Sequence, residues 1–348
     1  MKFEIKIKLR KEMSDSTKNL SKAKLKKKAS RLQKKEKSKL QLKKEENKHL
    51  LEHIYHLGKQ TCVSQAILNI IKTACLEHIS NDSFETILQK IKTHFYNREY
   101  DAIFSEPKYL PIYTTAYAPS RALAYYELFT SHTELKNILA TPNAYIYCMG
   151  SGAGSEVVGL TCANLASSTD ESQGLEIHCQ DYADYNEVQA SLVKTMQKQW
   201  NIQESRIKYS TSVADVLKND KIDGMTVDEH ISKATLVTAM FLMNELFTMS
   251  KKETVQLITR LVKNLPKGSY FLLVDSAGSF SNLDVNNSEG NTKKTIMIYQ
   301  LIDMIKSFDI LIKDDAVWYR LPNEKVQPLH YPTKLNNMRY FLRLYQKL

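Results

Sequence analysis

Residues 144–156 have the sequence AYIYCMGSGAGSE, in which an apolar run leads directly into three alternating glycines. The polar pair Ser155-Glu156 then opens a segment with helical spacing. A chain that turns sharply at the end of a strand, and lets a ligand approach its backbone, needs glycine there because a Cβ would obstruct the approach. The pattern predicts a strand near 144–149, a ligand-binding loop at 150–154 and a helix near 153–166. No Gly-Lys-Ser/Thr follows the loop, which argues against a P-loop.

Strands and helices alternate on the carboxyl side of this loop. Further strands are predicted near 175–180, 206–210, 235–241, 269–275, 315–320 and 338–345, and further helices near 186–200, 251–264 and 292–307. This alternation predicts an α/β fold, a mostly parallel Rossmann-like sheet of about seven strands that ends in an antiparallel hairpin. A nicotinamide or flavin site would also use such a loop. The mid-chain position of the sheet and the final hairpin, in place of a second nucleotide-binding half, argue against it.

The region before the sheet divides into two parts. Residues 50–78 and 83–97 show helical spacing of apolar residues, and Pro119-Ser120 is expected to open a helix that runs to about Leu139. We therefore expect three regions: a flexible basic arm at 1–48, a helical region at 49–140 and a ligand-binding domain at 141–348.

Nearly all excess charge lies in the arm. Residues 1–48 contain 19 Lys and Arg against 6 Asp and Glu, a net charge of +13, whereas the other 300 residues hold 30 basic and 32 acidic side chains. Such a segment is attracted to polyanions, RNA among them. A solubility tail or a nuclear import signal would have the same composition, and import and RNA affinity are compatible.

The cysteine count and the hydropathy pattern argue against several classes of protein. Five cysteines without C-x-x-C spacing fit neither a disulfide framework nor a zinc site, so we expect a reducing compartment and no metal centre. No run of about 18 uninterrupted apolar residues is present, so no membrane span is expected.

Acidic residues follow the second and third strands. Asp181 ends the second strand, where a carboxylate would accept hydrogen bonds from ribose hydroxyls, although a helix-capping Asp would occupy the same place and Asp184 competes with it. Asp215, after the third strand, would meet an adenine amino group or lie in a solvated turn. These residues predict a nucleoside-bearing ligand.

A polar pair interrupts the apolar run at the end of the fourth strand. Asn244-Glu245 follows Leu242-Met243 there, at the position that faces a transferring group in doubly wound folds. Entry into a helix is the alternative explanation of this pair.

Taken together, these features resemble the class I S-adenosylmethionine-dependent methyltransferases across about residues 140–348. More narrowly, the chain resembles the fungal 25S rRNA uridine-N3 methyltransferases. That resemblance is carried by residues 117–126 (YAPSRALAYY), 148–156 (CMGSGAGSE) and 181–184 (DYAD), and the lysine-rich amino terminus fits it. One departure is Cys148, since many class I enzymes have an acidic residue two positions before the first glycine.

The resemblance implies a monomeric enzyme of the nucleus or nucleolus, possessing a site for S-adenosylmethionine and acting on uridine N3 in large-subunit rRNA. The expected cofactor-binding residues are Gly150, Ser151, Gly152, Gly154, Asp181, Tyr182, Asp215 and Met243. Methyl transfer to that weakly acidic N–H requires a base, for which Glu245 is the first candidate and Asp184 the second. Asn244 would bind a base edge and Arg121 a developing oxyanion or a phosphate.

Two further expectations accompany this interpretation. An extruded base could stack on an aromatic side chain, and the candidates are Tyr113, Tyr117, Tyr125 and Tyr126. The alternatives to an RNA enzyme are a methyltransferase for a protein or small molecule, and a non-catalytic cofactor-binding protein that senses the cofactor or assists ribosome assembly.

Overall fold

A seven-stranded sheet forms the centre of the fold. The computed structural model describes residues 62–167, 174–278, 281–287, 290–323 and 327–348. The strands are Ala144–Met149 (β1), Leu175–Asp181 (β2), Ile207–Val213 (β3), Leu236–Met240 (β4), Tyr270–Ser276 (β5), Ser281–Asn287 (β6), Gly290–Ile296 (β7), Phe308–Tyr319 (β8) and Met338–Lys347 (β9). The sheet has the order β3-β2-β1-β4-β5-β9-β8, and β6 and β7 form a separate pair. The predicted arm at 1–48 lies outside the described residues.

Strand direction brings the predicted site residues together. β1 to β5 are parallel, whereas β9 is antiparallel to β5 and β8 is antiparallel to β9. The carboxyl ends of the five parallel strands therefore meet at one edge, where ligands bind in open α/β sheets. The predicted sheet and its final antiparallel hairpin are confirmed.

Helices cover both faces of the sheet. Those before it are Val63–Ala74 (α1), Leu76–Ile79 (α2), Phe84–Asn97 (α3), Tyr100–Phe104 (α4), Leu110–Ser131 (α5) and Thr133–Leu139 (α6). Those that follow are Ser155–Ser167 (α7), Asn186–Trp200 (α8), Val227–Lys233 (α9), Met243–Met249 (α10), Lys251–Asn264 (α11) and Ile298–Ile302 (α12). The bounds of α8 and α11 agree with the predicted 186–200 and 251–264. In the described residues no helix is both long enough and apolar enough to span a bilayer.

The two faces have separate apolar cores because side chains alternate along each strand. Ile146 and Ile177 pack in the core that also contains residues of α1, α5, α7 and α8. Tyr147 and Val237 face the other way, into the core that also contains residues of α9 to α12. The nearly continuous apolar sequence of β1 follows from burial on both faces.

The predicted start of a helix at Pro119-Ser120 was wrong. Helix α5 begins at Leu110, with Pro111 in its first turn, and Pro119 lies inside it. A proline in that position cannot donate a hydrogen bond to the carbonyl four residues earlier. That carbonyl, on Thr115, instead accepts from the Tyr331 hydroxyl at 3.0 Å and the Thr333 hydroxyl at 3.5 Å. The partners lie more than 200 residues along the chain, so local sequence could not reveal the compensation.

The predicted helix at 292–307 was also mostly wrong. Residues 290–296 form β7, which pairs with β6, and only Ile298–Ile302 is helical. Asn287 pairs with Gly290, so the two strands are close neighbours in sequence. The sequence interpretation took the apolar residues after 296 as part of one long helix and overlooked this pair of strands.

A polar cluster is buried on the face covered by α9. Both ring nitrogens of His178 lie within hydrogen-bond distance of serine hydroxyls, Ser210 at 2.8 Å and Ser212 at 2.9 Å. His230 stacks on His178 with ring centroids 4.0 Å apart, and its Nδ1 is 2.6 Å from the Tyr145 hydroxyl. Burial lowers the pKa of His178 to about 3, and burial lowers that of His230 too.

We expect His178 to make the fold sensitive to acid. The unfolded side chain takes up a proton below its ordinary pKa of about 6.5, whereas folded His178 stays neutral, so its contribution to stability falls as the pH drops below about 6.5. At pH 5 the loss is about 2 kcal/mol. Urea unfolding of the wild type and of His178→Gln at pH 7.5 and 5.0 measures it. A variant with the same pH dependence as the wild type would contradict the assignment.

Candidate cofactor and substrate site

The glycine loop is held against β2 and α8. The Gly152 N–H donates to Asp181 Oδ2 at 2.9 Å, and the Gln189 amide donates to the carbonyls of Ser151 and Gly152 at 3.0 and 3.1 Å. A Cβ on Gly152 would overlap the ring of Tyr185, and Gly154 has a positive φ of 79° beside Leu192. At these two positions glycine is therefore required by packing within the protein. The sequence analysis had assigned the requirement to the sharp turn of the backbone and to the approach of a ligand.

A cavity of about 250 Å³ opens beside this loop. Its lining contains many of the residues predicted from sequence, namely Gly150, Ser151, Asp181, Tyr182, Asp215, Glu245, Arg121, Tyr113 and Tyr125. These residues come from five segments of the chain and converge at the carboxyl edge of the sheet. We call this space the first cavity.

The first cavity is rich in carboxyl groups. Its lining has one guanidinium, that of Arg121, against five carboxyls, those of Asp101, Glu156, Asp181, Asp215 and Glu245. Two buried hydroxyls of its lining, Ser155 Oγ and Tyr185 Oη, have no hydrogen-bond partner among the described residues. Such a cavity favours a ligand with positive charge and several polar groups.

Asp181 is positioned by the backbone around it. Besides the Gly152 N–H, it accepts from the Ala183 N–H at 3.0 Å. Burial raises its pKa to about 6, although these N–H groups oppose the rise. The competing candidate Asp184 is exposed, accepts from the Asn186 N–H at 3.1 Å and lines neither cavity described here.

Glu156 is a site residue that the sequence analysis missed. It lies in the first turn of α7, is 2% exposed and accepts a 2.6 Å hydrogen bond from the Thr238 hydroxyl. Burial raises its pKa to about 8. Glu156 lines the cavity whereas Cys148 is buried in β1, so Glu156 can supply the carboxyl group that Cys148 does not, and a bound cation would favour its ionised form. An acidic residue on a helix that is otherwise buried was the signal that could have identified it.

Arg121 reaches the cavity from α5. It donates to the Tyr113 hydroxyl at 2.8 Å, and its guanidinium lies 5.1 Å from the ring centre of Phe241. No carboxylate of the described residues lies within 4 Å of it. Although burial alone would lower its pKa, the neighbouring Tyr113, Tyr125 and Glu245 raise it, so Arg121 remains a cation. A half-buried cation without an ion-pair partner among the described residues can bind an anionic or carbonyl oxygen.

A second cavity, of about 500 Å³, adjoins the first. Four residues line both cavities, namely Tyr100, Arg121, Phe241 and Glu245. Asn244 lines only the second; it is 9% exposed, and neither atom of its amide group has a hydrogen-bond partner among the described residues. Its backbone N–H donates to Asp275 at 3.0 Å, which fixes α10 against the end of β5.

Glu245 stands between the two cavities. Burial and, to a smaller extent, Asp275 and Asp181 raise its pKa against the opposing effect of Arg121, to about 8. Its position at the shared wall makes it the carboxyl group able to contact ligands on both sides.

Aromatic residues of the helical region cover this end of the sheet. Tyr113 stacks on Tyr117 with ring centroids 4.8 Å apart, and Phe104 contacts Tyr113 at 5.3 Å and Tyr182 at 6.0 Å. Gly159 of α7 packs closely on α5, and a Cβ at this position would touch Tyr125. This close packing of the two helices holds Tyr125 at the cavity. Helix α4 contributes three lining residues that were not predicted from sequence, namely Tyr100, Asp101 and Phe104.

The structure does not bring every predicted residue to a cavity. Met243 is 1% exposed and packs in the core beneath α9 to α12. Gly152 and Gly154 support the loop without lining the first cavity, and Tyr117 and Tyr126 line neither cavity. Base stacking on Tyr126 is incompatible with its burial in the core. No group of His, Cys, Asp and Glu in the described ranges is arranged to hold a metal ion.

Comparison with known proteins agrees with this geometry. The family model described as "Putative SAM-dependent methyltransferase" matches residues 71–346, most of the chain. The chain belongs to this family. It is a Rossmann-like class I methyltransferase whose cofactor is S-adenosylmethionine (SAM).

One curated relative is the "25S rRNA (uridine(2843)-N(3))-methyltransferase" of Saccharomyces cerevisiae, 28% identical over 331 residues, which are 83% of this chain and 87% of that protein. Similar solved structures include an O-methyltransferase family protein from Burkholderia thailandensis, with 8% identity, a TM-score of 0.43 and coverage of 79% of this chain and 71% of that one. Another is a SAM-dependent methyltransferase from Clostridium acetobutylicum, with 11% identity, a TM-score of 0.34 and coverage of 73% and 98%.

Proposed function

We propose that this methyltransferase modifies RNA, at N3 of a uridine in large-subunit rRNA. The yeast relative supports this substrate, and the observation that carries the proposal is the pair of adjoining cavities at the carboxyl edge of the sheet. One is acidic and lies beside the glycine loop, and the other is larger and contains the Asn244 amide. Their shared wall contains a base, Glu245, and a cation, Arg121.

The first cavity fits SAM, which carries one more positive than negative charge. Asp181 would hold the ribose hydroxyls, Asp215 the adenine amino group and Glu156 the ammonium group. The unpartnered hydroxyls of Ser155 and Tyr185 offer further hydrogen bonds. When bound, SAM supplies an electrophilic methyl group attached to a sulfonium.

Glu245 is suited to remove the N3 proton of uridine. That N–H is comparable in acidity to a tyrosine hydroxyl, so its transfer to an ordinary carboxylate would be uphill by about 6 pKa units. With the pKa of Glu245 at about 8 the gap falls to about 2 units, on the order of 3 kcal/mol. Burial of the base therefore lowers the cost of forming the nucleophile.

Arg121 and Asn244 complete the proposed recognition of uracil. The N3 of uracil lies between two carbonyl oxygens, and both side chains offer N–H donors in the second cavity. The Arg121 cation would also stabilise the charge that develops on a carbonyl oxygen when N3 loses its proton. Cytosine presents an amino group in place of one carbonyl, so a site built from two donors disfavours it.

The Asn244 contribution can be measured separately. We expect Asn244→Ala to raise the KM for RNA about tenfold, the loss of one buried hydrogen bond, while the Kd for SAM is unchanged. Thr259→Ala, which alters an exposed residue of α11 that lines neither cavity, is the control. A KM equal to that of the control would remove Asn244 from the recognition of the base.

The experiment for the proposed function is methyl transfer from isotopically labelled SAM to large-subunit rRNA, followed by digestion and mass spectrometry of the nucleosides. The proposal requires label in 3-methyluridine. Label in protein or in a small molecule would favour those substrates, and no product in any extract would favour a non-catalytic binding protein.

We also propose that the basic residues 1–48 contribute RNA affinity and direct the chain to the nucleus and nucleolus. A variant that begins at residue 49 should show weaker and less salt-dependent RNA binding.

A further inference from the structure

Three exposed residues lie where the edge strand β8 ends and its partner β9 begins, namely Trp318, Arg320 and Arg339. We call them the Trp318 patch. Trp318 is 53% exposed, and the Arg320 guanidinium lies 5.1 Å from its ring centre. In the register of β8 and β9, Trp318 is paired with Arg339, so these two side chains are cross-strand neighbours on one face. The exposed indole and the two guanidinium groups therefore offer a flat apolar ring and two cations on one surface.

The patch and the two cavities lie at the same end of the strands, where the parallel strands have their carboxyl ends. Ser276, at the end of β5, is paired with Tyr340 of β9, and Arg339 is the next residue. Asp275, which lines the second cavity, is paired with Phe341 and therefore lies on the face that Arg339 occupies. Because β8 is two strands from β5, Trp318 is about 10 Å across the sheet from the end of β5.

The described charged residues from 317 to 340 are Arg320, Lys334 and Arg339, all basic and all exposed. The exposed carboxyl groups of β8, those of Asp314 and Asp315, lie at least three residues before Trp318, and Asp315 is paired with Arg343. This surface therefore favours an anionic partner. RNA provides phosphates for the arginines and a flat base for the indole ring, whereas a folded acidic protein would leave the indole without a stacking partner.

We propose that the Trp318 patch binds single-stranded RNA next to the target uridine. Arg320 and Arg339 contact phosphates, and a neighbouring base stacks on Trp318. The proposal rests on RNA as the substrate. It extends the proposed site from one nucleotide to a short strand, which the patch keeps unpaired close to the second cavity.

The chain has two tryptophans, and this makes a direct test possible. Trp200 is 1% exposed and Trp318 is 53% exposed, so an added base can quench the fluorescence of Trp318 alone. We expect oligouridylate added to the full chain to quench part of the emission and to protect Trp318 from acrylamide. The same titration of Trp318→Phe, which retains only Trp200, should show no change.

Methylation kinetics provide the second measurement. We expect Trp318→Ala to raise the KM for RNA about tenfold at unchanged kcat, and Trp318→Phe, which can still stack, to remain near the wild type. Arg320→Ala and Arg339→Ala should each make RNA binding less dependent on salt. The slope of the logarithm of the RNA association constant against the logarithm of the salt concentration should become smaller in magnitude by about 0.7. Lys208→Ala, an exposed change at the opposite end of the sheet on β3, is the control for a general loss of positive charge.

The two proposals fail in different ways. If the wild type bound RNA, measured by anisotropy of labelled oligouridylate, and Trp318 remained as accessible to acrylamide as in the free protein, the patch would be excluded. A wild-type KM in Trp318→Ala would exclude it as well. If instead the wild type transferred no methyl group to uridine, the proposed function would fail, while the quenching experiment would still decide whether the patch binds RNA.

Discussion

Replacing Glu245 with glutamine is expected to lower kcat by about 10²- to 10⁴-fold, the usual contribution of a general base. The amide keeps the size of the side chain but cannot accept the N3 proton. The Kd for SAM should change little, because Glu245 is assigned to the reacting base. Single-turnover methyl transfer at saturating RNA measures the effect without a contribution from product release.

The pH profile identifies the role of Glu245 more specifically. A base works in its deprotonated form, and burial raises the pKa of Glu245 to about 8. The wild-type rate should therefore rise with pH through about 8, and the residual rate of Glu245→Gln should not show that step. Asp184→Asn, the exposed second candidate, should behave as the wild type. A full rate for Glu245→Gln would exclude it as the base.

Replacing Asp181 with alanine is expected to raise the Kd for SAM by about 10²- to 10⁴-fold. The variant would lack two charge-assisted hydrogen bonds from ribose hydroxyls, each contributing about 1.5 to 3 kcal/mol. The N–H groups of Gly152 and Ala183, which now donate to Asp181, would also lose their acceptor. Calorimetric titration with SAM measures the loss.

The neighbouring carboxylate offers a matched control for this prediction. Asp184→Ala removes an exposed acid three residues along the chain and should leave the Kd unchanged. A thermal melt of each variant checks that the fold persists. A normal Kd for folded Asp181→Ala would show that the ribose is bound elsewhere.

Local sequence predicted the elements whose signal is local. The apolar run of β1, the glycines after it and the helical spacing of α8 are each complete within about 15 residues. The location of Asp181 and Glu245 at the cavity could be predicted because parallel strands bring their carboxyl ends to one edge. Placement at a strand end was therefore enough to select them.

The remaining features depend on contacts between distant segments. Pro119 is accommodated inside α5 by the hydroxyls of Tyr331 and Thr333, and Tyr100 enters the site only because α4 packs over the sheet. Met243 precedes two site residues in sequence, but α10 begins there and turns its side chain into the core. Successive residues of a helix point about 100° apart, so neighbours of a site residue need not share its surroundings.

The most direct test of the account is a crystal structure of the protein with S-adenosylhomocysteine, the product of methyl transfer. We expect the ribose hydroxyls within hydrogen-bond distance of Asp181 and the sulfur facing the wall formed by Arg121, Phe241 and Glu245. A nucleoside bound away from the acidic cavity, or a sulfur directed away from that wall, would contradict the assignment of both cavities.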